Sequence, residues 1–262
     1  MAKNKSKEEQ FVDRVAEIFD LSTPDAREMM SIHQKQSIRI NPLKVDDPQT
    51  LLNQFENEGV ELTPIPWCDG CYVIESPKYE VTQHDLFRQG YVHVQNASSF
   101  VPPLVLDPQP GEAILDMCAA PGGKASHMAA LANNEIDLYT NDISSDRNMT
   151  MRAIFHALDV KTAEVYCSPA ELLAEDLDRT CDKILLDAQC SGEGRVNLNN
   201  RNALKYWSLS KVEKFQWTQR KMIKAAYKLL NPGGTLVYTT CTLSPEENEL
   251  VIDYALRMFD DL

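Results

Sequence analysis

The second half of the chain alternates between short apolar runs and longer amphipathic stretches. The apolar runs predict strands at 113–117, 137–141, 163–167, 182–186 and 234–240. Helices are predicted to begin near Lys124, Asp146, Ala170 and Ser210. Five strands joined by helical connections predict an α/β fold with a parallel, doubly wound sheet, because parallel strands need such crossovers. We therefore assign residues 91–262 to one α/β domain.

The first part of the chain carries a different pattern. Apolar side chains at helical spacing predict one helix from about residue 8 to residue 30. Further predicted elements are a helix over 48–59 and strands at 37–40 and 72–74. We expect a small α+β domain over residues 1–90, which joins the larger domain near Gly90.

Composition and charge restrict the class of protein. The chain has 262 residues, a formal charge of −13 at pH 7, and seven cysteines without the spacing of a disulfide framework. The polar first residues do not resemble a signal peptide, and no apolar run is long enough to cross a bilayer. We therefore expect a cytoplasmic protein without membrane attachment, and we take it to be a monomer.

One segment reverses the acidic character of the chain. Between residues 195 and 228 there are nine Lys or Arg and one acid, Glu213, so this segment has a formal charge of +8. Five aromatic residues are interleaved with these charges: Tyr206, Trp207, Phe215, Trp217 and Tyr227. Basic and aromatic side chains together suit a surface that follows an RNA backbone and stacks on bases. The alternative is an amphipathic helix whose aromatic side chains face the core, which we favour for Trp217 and Tyr227.

Two cysteines directly follow predicted strands. Cys190 comes after the strand at 182–186, and Cys241 after the strand at 234–240. In an open α/β sheet, residues just past the carboxyl ends of the strands face the ligand crevice. Packing alone does not explain two thiols at one crevice. A soft nucleophile beside a planar, electron-poor ring points to methylation of a pyrimidine carbon.

The loop at 116–124 follows the first strand of the larger domain and opens a helix. Its glycines let the backbone approach a ligand closely, and the helix start offers N–H groups. Its spacing matches neither the dinucleotide-binding nor the phosphate-binding glycine loop. Asp142 ends the next strand, where it either accepts hydrogen bonds from the ribose hydroxyls of an adenosine cofactor or caps the following helix. Carboxylates at three strand ends (Asp116, Asp142 and Asp187) favour a shared pocket, and we predict no metal site.

Four motifs resemble those of the NOL1/NOP2/Sun family of RNA cytosine-C5 methyltransferases. They are DMCAAPGGK at 116–124, DAQCSGEG at 187–194, PGGTLVYTTCT at 232–242, and Glu246-Glu247-Asn248. Segment 90–99 resembles the segment that precedes the catalytic domain in this family, and segment 63–68 is similar to bacterial members of the RsmF type, which act on small-subunit ribosomal RNA. The resemblance implies a Rossmann-like methyltransferase sheet, S-adenosyl-L-methionine as the cofactor, and RNA as the partner. It favours 16S ribosomal RNA, with tRNA as the alternative.

The resemblance also implies roles for individual residues. Cys241 is expected to be the nucleophile that bonds to C6 of cytosine, and Cys190 the second thiol, which assists release of the adduct. Asp187 is expected to hydrogen-bond either the cytosine ring edge or the cofactor. Independently of the resemblance, the positive charge of Lys124 in the same crevice is expected to lower the pKa of the nucleophilic thiol from its usual value of roughly 8.5. The expected cofactor-binding residues are Cys118, Ala119, Ala120, Pro121, Gly122, Gly123, Lys124, Asp142, Arg147 and Asp187.

The sequence departs from the family pattern in three respects. Gln189 stands where family members usually carry proline, and the aspartate usual after the third strand is replaced around Ser168. Sheets of this family continue for two strands beyond the position that corresponds to Leu262, so we expect a catalytic domain that lacks its last two strands. Two alternatives stay open: an RNA-binding pseudoenzyme of the same fold, and a methyltransferase that acts on a protein or a small molecule.

Overall fold

The computed structural model describes residues 5–76 and 81–262. Contacts within the chain divide it into two compact units. The helical unit consists of Met1–Gln34, Ala188–Lys224 and Thr239–Leu262, and the sheet unit of Lys35–Asp187 and Ala225–Tyr238. Within the residues described, every helix is too short or too polar to cross a membrane. The expected domain boundary near Gly90 stays a prediction.

The described residues form α-helices and β-strands throughout the chain. The helices are α1 (Lys7–Phe19), α2 (Thr23–Met29), α3 (Pro48–Asn57), α4 (Asp85–Arg88), α5 (Val101–Leu106), α6 (Gly123–Leu131), α7 (Ser145–Leu158), α8 (Leu173–Asp176), α9 (Leu209–Leu229) and α10 (Glu249–Met258). The strands are β1 (Ser37–Ile40), β2 (Leu62–Pro64), β3 (Cys71–Ile74), β4 (Val92–Gln95), β5 (Ala113–Asp116), β6 (Asp137–Asn141), β7 (Glu164–Tyr166), β8 (Cys181–Asp187) and β9 (Leu230–Thr239).

A five-stranded sheet in the order β7-β6-β5-β8-β9 confirms the predicted α/β fold. Strand β5 pairs in parallel with β6 and β8, and β6 pairs in parallel with β7. The apolar residues of the central strands, among them Ile114, Leu138 and Leu185, are fully buried, as is typical of parallel sheets. Met128 of α6 and Phe155 of α7 belong to the same core. Because β6, β5 and β8 are neighbours and run in parallel, their carboxyl ends lie at one edge of the sheet.

A second sheet in the same unit is antiparallel and has the order β2-β3-β1-β4. Phe55 of α3 packs with Ile38 and Val92 in the core beneath it. The structure confirms the predicted strands at 37–40 and 72–74. Strands β2 and β4 are three and four residues long and carry no continuous apolar run, so the sequence pattern does not predict them.

The predicted helix over residues 8–30 is wrong as a single element, because the chain forms α1 and α2 there. Helix α1 ends at Phe19, and the next residue, Asp20, adopts a left-handed conformation with φ of 52°. The Ser22 side chain then accepts a hydrogen bond from the backbone N–H of Asp25 and caps α2. A serine cap with a proline in the first turn is a strong start signal, and it overrides the continuous apolar spacing. Phe11 of α1 packs edge-on against Trp207 at 5.2 Å between ring centroids.

Helix α9 corrects the expectation for Trp217. Its indole is 63% exposed instead of facing the core, and the Nζ of Lys221 lies 5.0 Å from the ring centroid. The buried side of α9 is formed by residues such as Val212 and Ile223, which occupy the opposite part of the helical wheel. Tyr227 is half-buried. An exposed tryptophan among lysines therefore marks the solvent side of this helix.

Candidate active site

The loop that joins β5 to α6 is tightly turned at its glycines. Gly122 adopts φ of +106°, and a Cβ atom there would lie only 2.8 Å from Cε1 of Phe155. No side chain therefore fits at this position. Helix α6 begins at Gly123 without a side-chain cap, so within the described residues its first N–H groups stay available to an anionic ligand.

Asn141, at the end of β6, holds the loop in place. Its Nδ2 donates to the carbonyl oxygens of Met117 and Ser168, each at 2.9 Å, and its Oδ1 accepts the N–H of Ser168 at 2.9 Å. This amide thus ties together the chain segments that follow three neighbouring strands. Sequence reasoning missed Asn141. The signal was a polar side chain at the last position of an otherwise buried strand.

Asp142 and Arg147 form an ion pair, with 2.9 Å between Nη1 and Oδ2. The capping alternative for Asp142 is wrong, because Ser144 caps α7 by accepting the N–H of Arg147. Asp142 is 2% exposed and accepts the N–H of Ser144 at 3.0 Å. Arg147 also donates to the carbonyl oxygen of Ala120. The structure therefore brings two predicted cofactor residues together and connects them to the loop.

A second ion pair joins Lys124 and Asp187, with 2.6 Å between Nζ and Oδ2. The neighbouring Asp116 is buried, and burial together with the charge of Asp187 raises the pKa of its carboxyl to about 7, against the opposing effect of Lys124. Oδ1 of Asp116 accepts the N–H of Cys118 at 3.3 Å, whereas Oδ2 has no partner among the described residues. The predicted effect of Lys124 on the pKa of a thiol stays a prediction.

The polar groups around the loop between β5 and α6, all in the sheet unit, fit S-adenosylmethionine. The uncapped N–H groups of α6 suit a carboxylate, and the unpartnered Oδ2 of Asp116 suits an ammonium or hydroxyl donor. Asp142 stands at the strand end where carboxylates accept the ribose hydroxyls of nucleotide cofactors. Gly122 provides the close approach that a side chain would block.

The structure brings the two predicted thiols together in the helical unit. The sulfur atoms of Cys190 and Cys241 lie 3.2 Å apart, within hydrogen-bonding distance. Cys190 is half-buried, whereas Cys241 is exposed. Two causes raise the pKa of the Cys190 thiol well above its usual value: the hydrogen bond to Cys241, which has the larger effect, and burial.

Buried polar contacts fix the two loops that carry these thiols. Glu193 is 1% exposed and accepts hydrogen bonds from three donors of the helical unit. The donors are Trp207 Nε1 at 2.7 Å, Thr242 Oγ1 at 3.1 Å and Ser244 Oγ at 2.6 Å. Because Thr242 directly follows Cys241, Glu193 connects the first thiol loop to the second. Sequence reasoning also missed Glu193, whose partners lie far away along the chain.

Comparison with known proteins identifies the class. The profile of the family described as 16S rRNA methyltransferase RsmB/F matches residues 103–262, and that of the N-terminal domain of 16S rRNA methyltransferase RsmF matches residues 8–97. The solved structure of a methyltransferase homolog protein from Pyrococcus horikoshii has the same fold. It is 32% identical with a TM-score of 0.79, over 96% of this chain and 83% of its own.

Two relatives give the same picture. A tRNA (cytosine(49)-C(5))-methyltransferase from Pyrococcus abyssi is 42% identical over 86% of this chain and 72% of its own length. A ribosomal RNA small subunit methyltransferase F from Vibrio campbellii is 36% identical over 87% of this chain and 48% of its own. The chain therefore spans about half the length of that second relative. It belongs to the RsmB/F family of RNA methyltransferases, which confirms the resemblance seen in its motifs.

Proposed function

We propose that the chain methylates C5 of a cytosine in RNA, with S-adenosylmethionine as the methyl donor and Cys241 as a covalent nucleophile. The observation that carries the proposal is the 3.2 Å separation of the Cys190 and Cys241 sulfur atoms. Methyl transfer to a protein or to a small molecule gives no role to two adjacent thiols. Addition to a pyrimidine followed by elimination uses both.

The proposed reaction begins with addition of the Cys241 thiolate to C6. The S–C6 bond forms, and the electrons of the C5–C6 double bond make C5 nucleophilic. When bound, S-adenosylmethionine supplies an electrophilic methyl group. Once C5 carries the methyl group, the C5–H bond breaks and solvent water accepts the proton, while its electron pair re-forms the double bond. The S–C6 bond then breaks, and Cys241 leaves as a thiolate that accepts a hydrogen bond from the Cys190 thiol. We assign Cys190 to this release step.

The environment of the two thiols supports this division of roles. A proton on Cys190, 3.2 Å away, stabilises a thiolate on Cys241 through an S–H hydrogen bond. Cys241 is also the exposed member of the pair, as a residue that attacks a bulky substrate needs to be. Burial disfavours ionisation of Cys190, which suits a residue that keeps its proton until release.

We propose that the loop 118–124 holds the cofactor together with Asp142 and Arg147. Asp187 serves either the cytosine ring edge or the cofactor. Its ion pair with Lys124 fixes the position of its carboxylate and is compatible with both roles. Chain connectivity favours the cytosine edge, because Cys190 follows Asp187 by three residues.

The exposed side of α9 supports RNA as the partner. Lys214, Trp217, Lys221 and Lys224 follow each other at intervals of three or four residues, and all four are exposed. Such spacing places them on one face of the helix. Glu213 is the only acid of α9. We propose that this face contacts RNA phosphates through its lysines and stacks on a base through Trp217.

Substitutions on this face are expected to weaken RNA binding. Trp217→Ala lowers affinity for an unstructured cytosine-containing oligonucleotide by about 5- to 150-fold, the usual loss for one stacked base. The double variant Lys221→Ala/Lys224→Ala reduces the salt dependence of RNA binding. The slope of the logarithm of the binding constant against the logarithm of salt concentration becomes smaller in magnitude by about 1.4, the effect of two lost phosphate contacts. Fluorescence anisotropy over a salt series measures both effects. Trp67→Ala and Lys161→Ala, at exposed positions of the sheet unit, are the matched controls. Equal losses in variants and controls would contradict this assignment.

The product and the substrate class are tested together. The protein is incubated with S-adenosylmethionine and either transcribed 16S ribosomal RNA or transcribed tRNA, and the digested RNA is analysed by mass spectrometry. We expect 5-methylcytosine in the ribosomal RNA, because the RsmF N-terminal profile matches residues 8–97. 5-methylcytosine in tRNA alone would support the alternative, which the 42% identity to the Pyrococcus abyssi protein favours. RNA binding without 5-methylcytosine in either RNA would point to the pseudoenzyme.

A further inference from the structure

Buried side chains hold the residues on both sides of Cys190. The Nε2 of Gln219, on α9, donates to the carbonyl oxygen of Gln189 at 3.0 Å. The Oε2 of Glu247 accepts the backbone N–H of Ser191 at 2.9 Å. The same Oε2 accepts the Gln219 amide at 2.9 Å, so the two side chains form one bridge. Both Gln219 and Glu247 are 0% exposed.

Two buried carboxylates connect the loops that carry the thiols, and each loop contributes one of them. Glu247 lies six residues after Cys241 and holds the loop of Cys190. Glu193 lies three residues after Cys190 and holds Thr242 in the loop of Cys241. The N–H of Gly194 also donates to the carbonyl oxygen of Cys241 at 3.0 Å, and a Cβ at Gly194 would come within 3.0 Å of that oxygen. Each loop is therefore fixed by a buried carboxylate of the other.

The bridge also explains how Cys190 is held although Gln189 replaces proline. Proline would restrict the backbone before Cys190 through its fixed φ. Glutamine lacks that restriction, so the hydrogen bond from Gln219 to its backbone carbonyl oxygen carries more of the restraint on this segment. A donor aimed at this carbonyl and an acceptor aimed at the Ser191 N–H restrain the backbone on either side of the thiol.

We propose that Gln219 and Glu247 are positioning residues for Cys190, which hold its thiol against Cys241 for the release step of methyl transfer. This inference rests on the proposed function. Burial of the Glu247 carboxylate and the Gln219 amide costs desolvation free energy, which a pair of apolar side chains would not. Their hydrogen bonds to the Cys190 loop indicate that they position the thiol, which packing alone would not require.

The proposal predicts a defect in release in preference to a defect in attack. In Gln219→Leu and in Glu247→Gln, kcat falls by about 10- to 100-fold, the effect expected when a reacting group is misplaced by about 1 Å. KM for RNA falls together with kcat, because a slower step after addition lets a bound intermediate accumulate, and kcat/KM stays close to that of the wild type. The fraction of protein bound covalently to RNA, resolved on a denaturing gel, rises several-fold because Cys241 still adds to C6. A merely structural role would lower the adduct and the turnover together.

Matched controls separate positioning from general damage. Gln216→Leu makes the same change on a half-buried position of α9, and Glu249→Gln neutralises an exposed carboxylate at the start of α10. Neither is expected to change the adduct fraction. Thermal unfolding identifies a variant that fails to fold, and the other variant then carries the test. Wild-type methylation without adduct accumulation in either folded variant would overturn this inference and leave the proposed function intact.

A second measurement does not depend on methyl transfer. Diamide oxidises adjacent thiols, and peptide mapping by mass spectrometry quantifies the Cys190–Cys241 disulfide. We expect this disulfide to form several-fold more slowly in Gln219→Leu and Glu247→Gln than in the wild type and the two controls. Equal rates in all five proteins would show that the bridge does not hold the sulfur atoms together, whatever reaction the chain catalyses.

Discussion

Replacement of Cys241 by alanine is expected to abolish methyl transfer to RNA. The thiolate is the group that converts C5 into a nucleophile, so without it the reaction loses its covalent route. Loss of the nucleophile from a catalytic unit removes most of the chemical acceleration, and we expect a decrease of at least about 10³-fold in kcat. Incorporation of labelled methyl groups into cytosine measures the effect.

A cysteine outside the pair provides the control for Cys241→Ala. Cys167 is also exposed, but it lies in the sheet unit after β7, where its sulfur faces the carbonyl oxygen of Ile143 at 3.7 Å. Cys167→Ala should retain methyl transfer and therefore exclude a general effect of cysteine removal. RNA affinity should be the same in both variants. Methylation by Cys241→Ala at more than a trace level would contradict the covalent mechanism.

The number of strands in the parallel sheet was predictable from the sequence, whereas their order came from the structure. Each of β5 to β9 contains an apolar run, and runs such as the one that includes Ile184, Leu185 and Leu186 are dictated by burial alone. The break between α1 and α2 was less visible, because apolar spacing continues through it. Only the Ser22 cap and the proline after it mark the boundary, and these local signals compete with periodicity.

Trp217 shows a second limit of sequence periodicity. Periodicity identifies a helix but does not say which large side chain stays in solvent.

The candidate site was predictable where chemistry resides in sequence-adjacent motifs. Cys190 and Cys241 were expected at one crevice because each follows the carboxyl end of a predicted strand, and their sulfur atoms do lie 3.2 Å apart. The residues that fix their loops were not predictable. Glu193, Gln219 and Glu247 receive their meaning from partners that are between 14 and 56 residues away along the chain. The sequence does not distinguish a buried glutamate from an exposed one, and only the fold shows which N–H group donates a hydrogen bond to its carboxylate.

Replacement of Cys190 by alanine is expected to trap the covalent intermediate. Cys241 still adds to C6 in this variant, because the attacking sulfur is exposed and unchanged. Release lacks its second thiol, and loss of an acid–base group of this kind slows a step by about 10²- to 10⁴-fold. Incubation with S-adenosylmethionine and transcribed 16S ribosomal RNA should therefore convert most of the protein into a complex that survives denaturing electrophoresis.

The double variant Cys190→Ala/Cys241→Ala tests which sulfur forms this bond. It should give no covalent complex, because the only attacking thiol of the proposed mechanism is absent. Digestion of the trapped complex followed by mass spectrometry should find one nucleotide attached at Cys241. Removal of Cys190 also deletes the S–H donor at 3.2 Å, so the Cys241 thiolate loses a stabilising hydrogen bond. We therefore expect formation of the adduct in Cys190→Ala to need a higher pH than in the wild type, with the yield increasing as the pH rises. A complex that forms equally well in the double variant would assign the covalent bond to another residue.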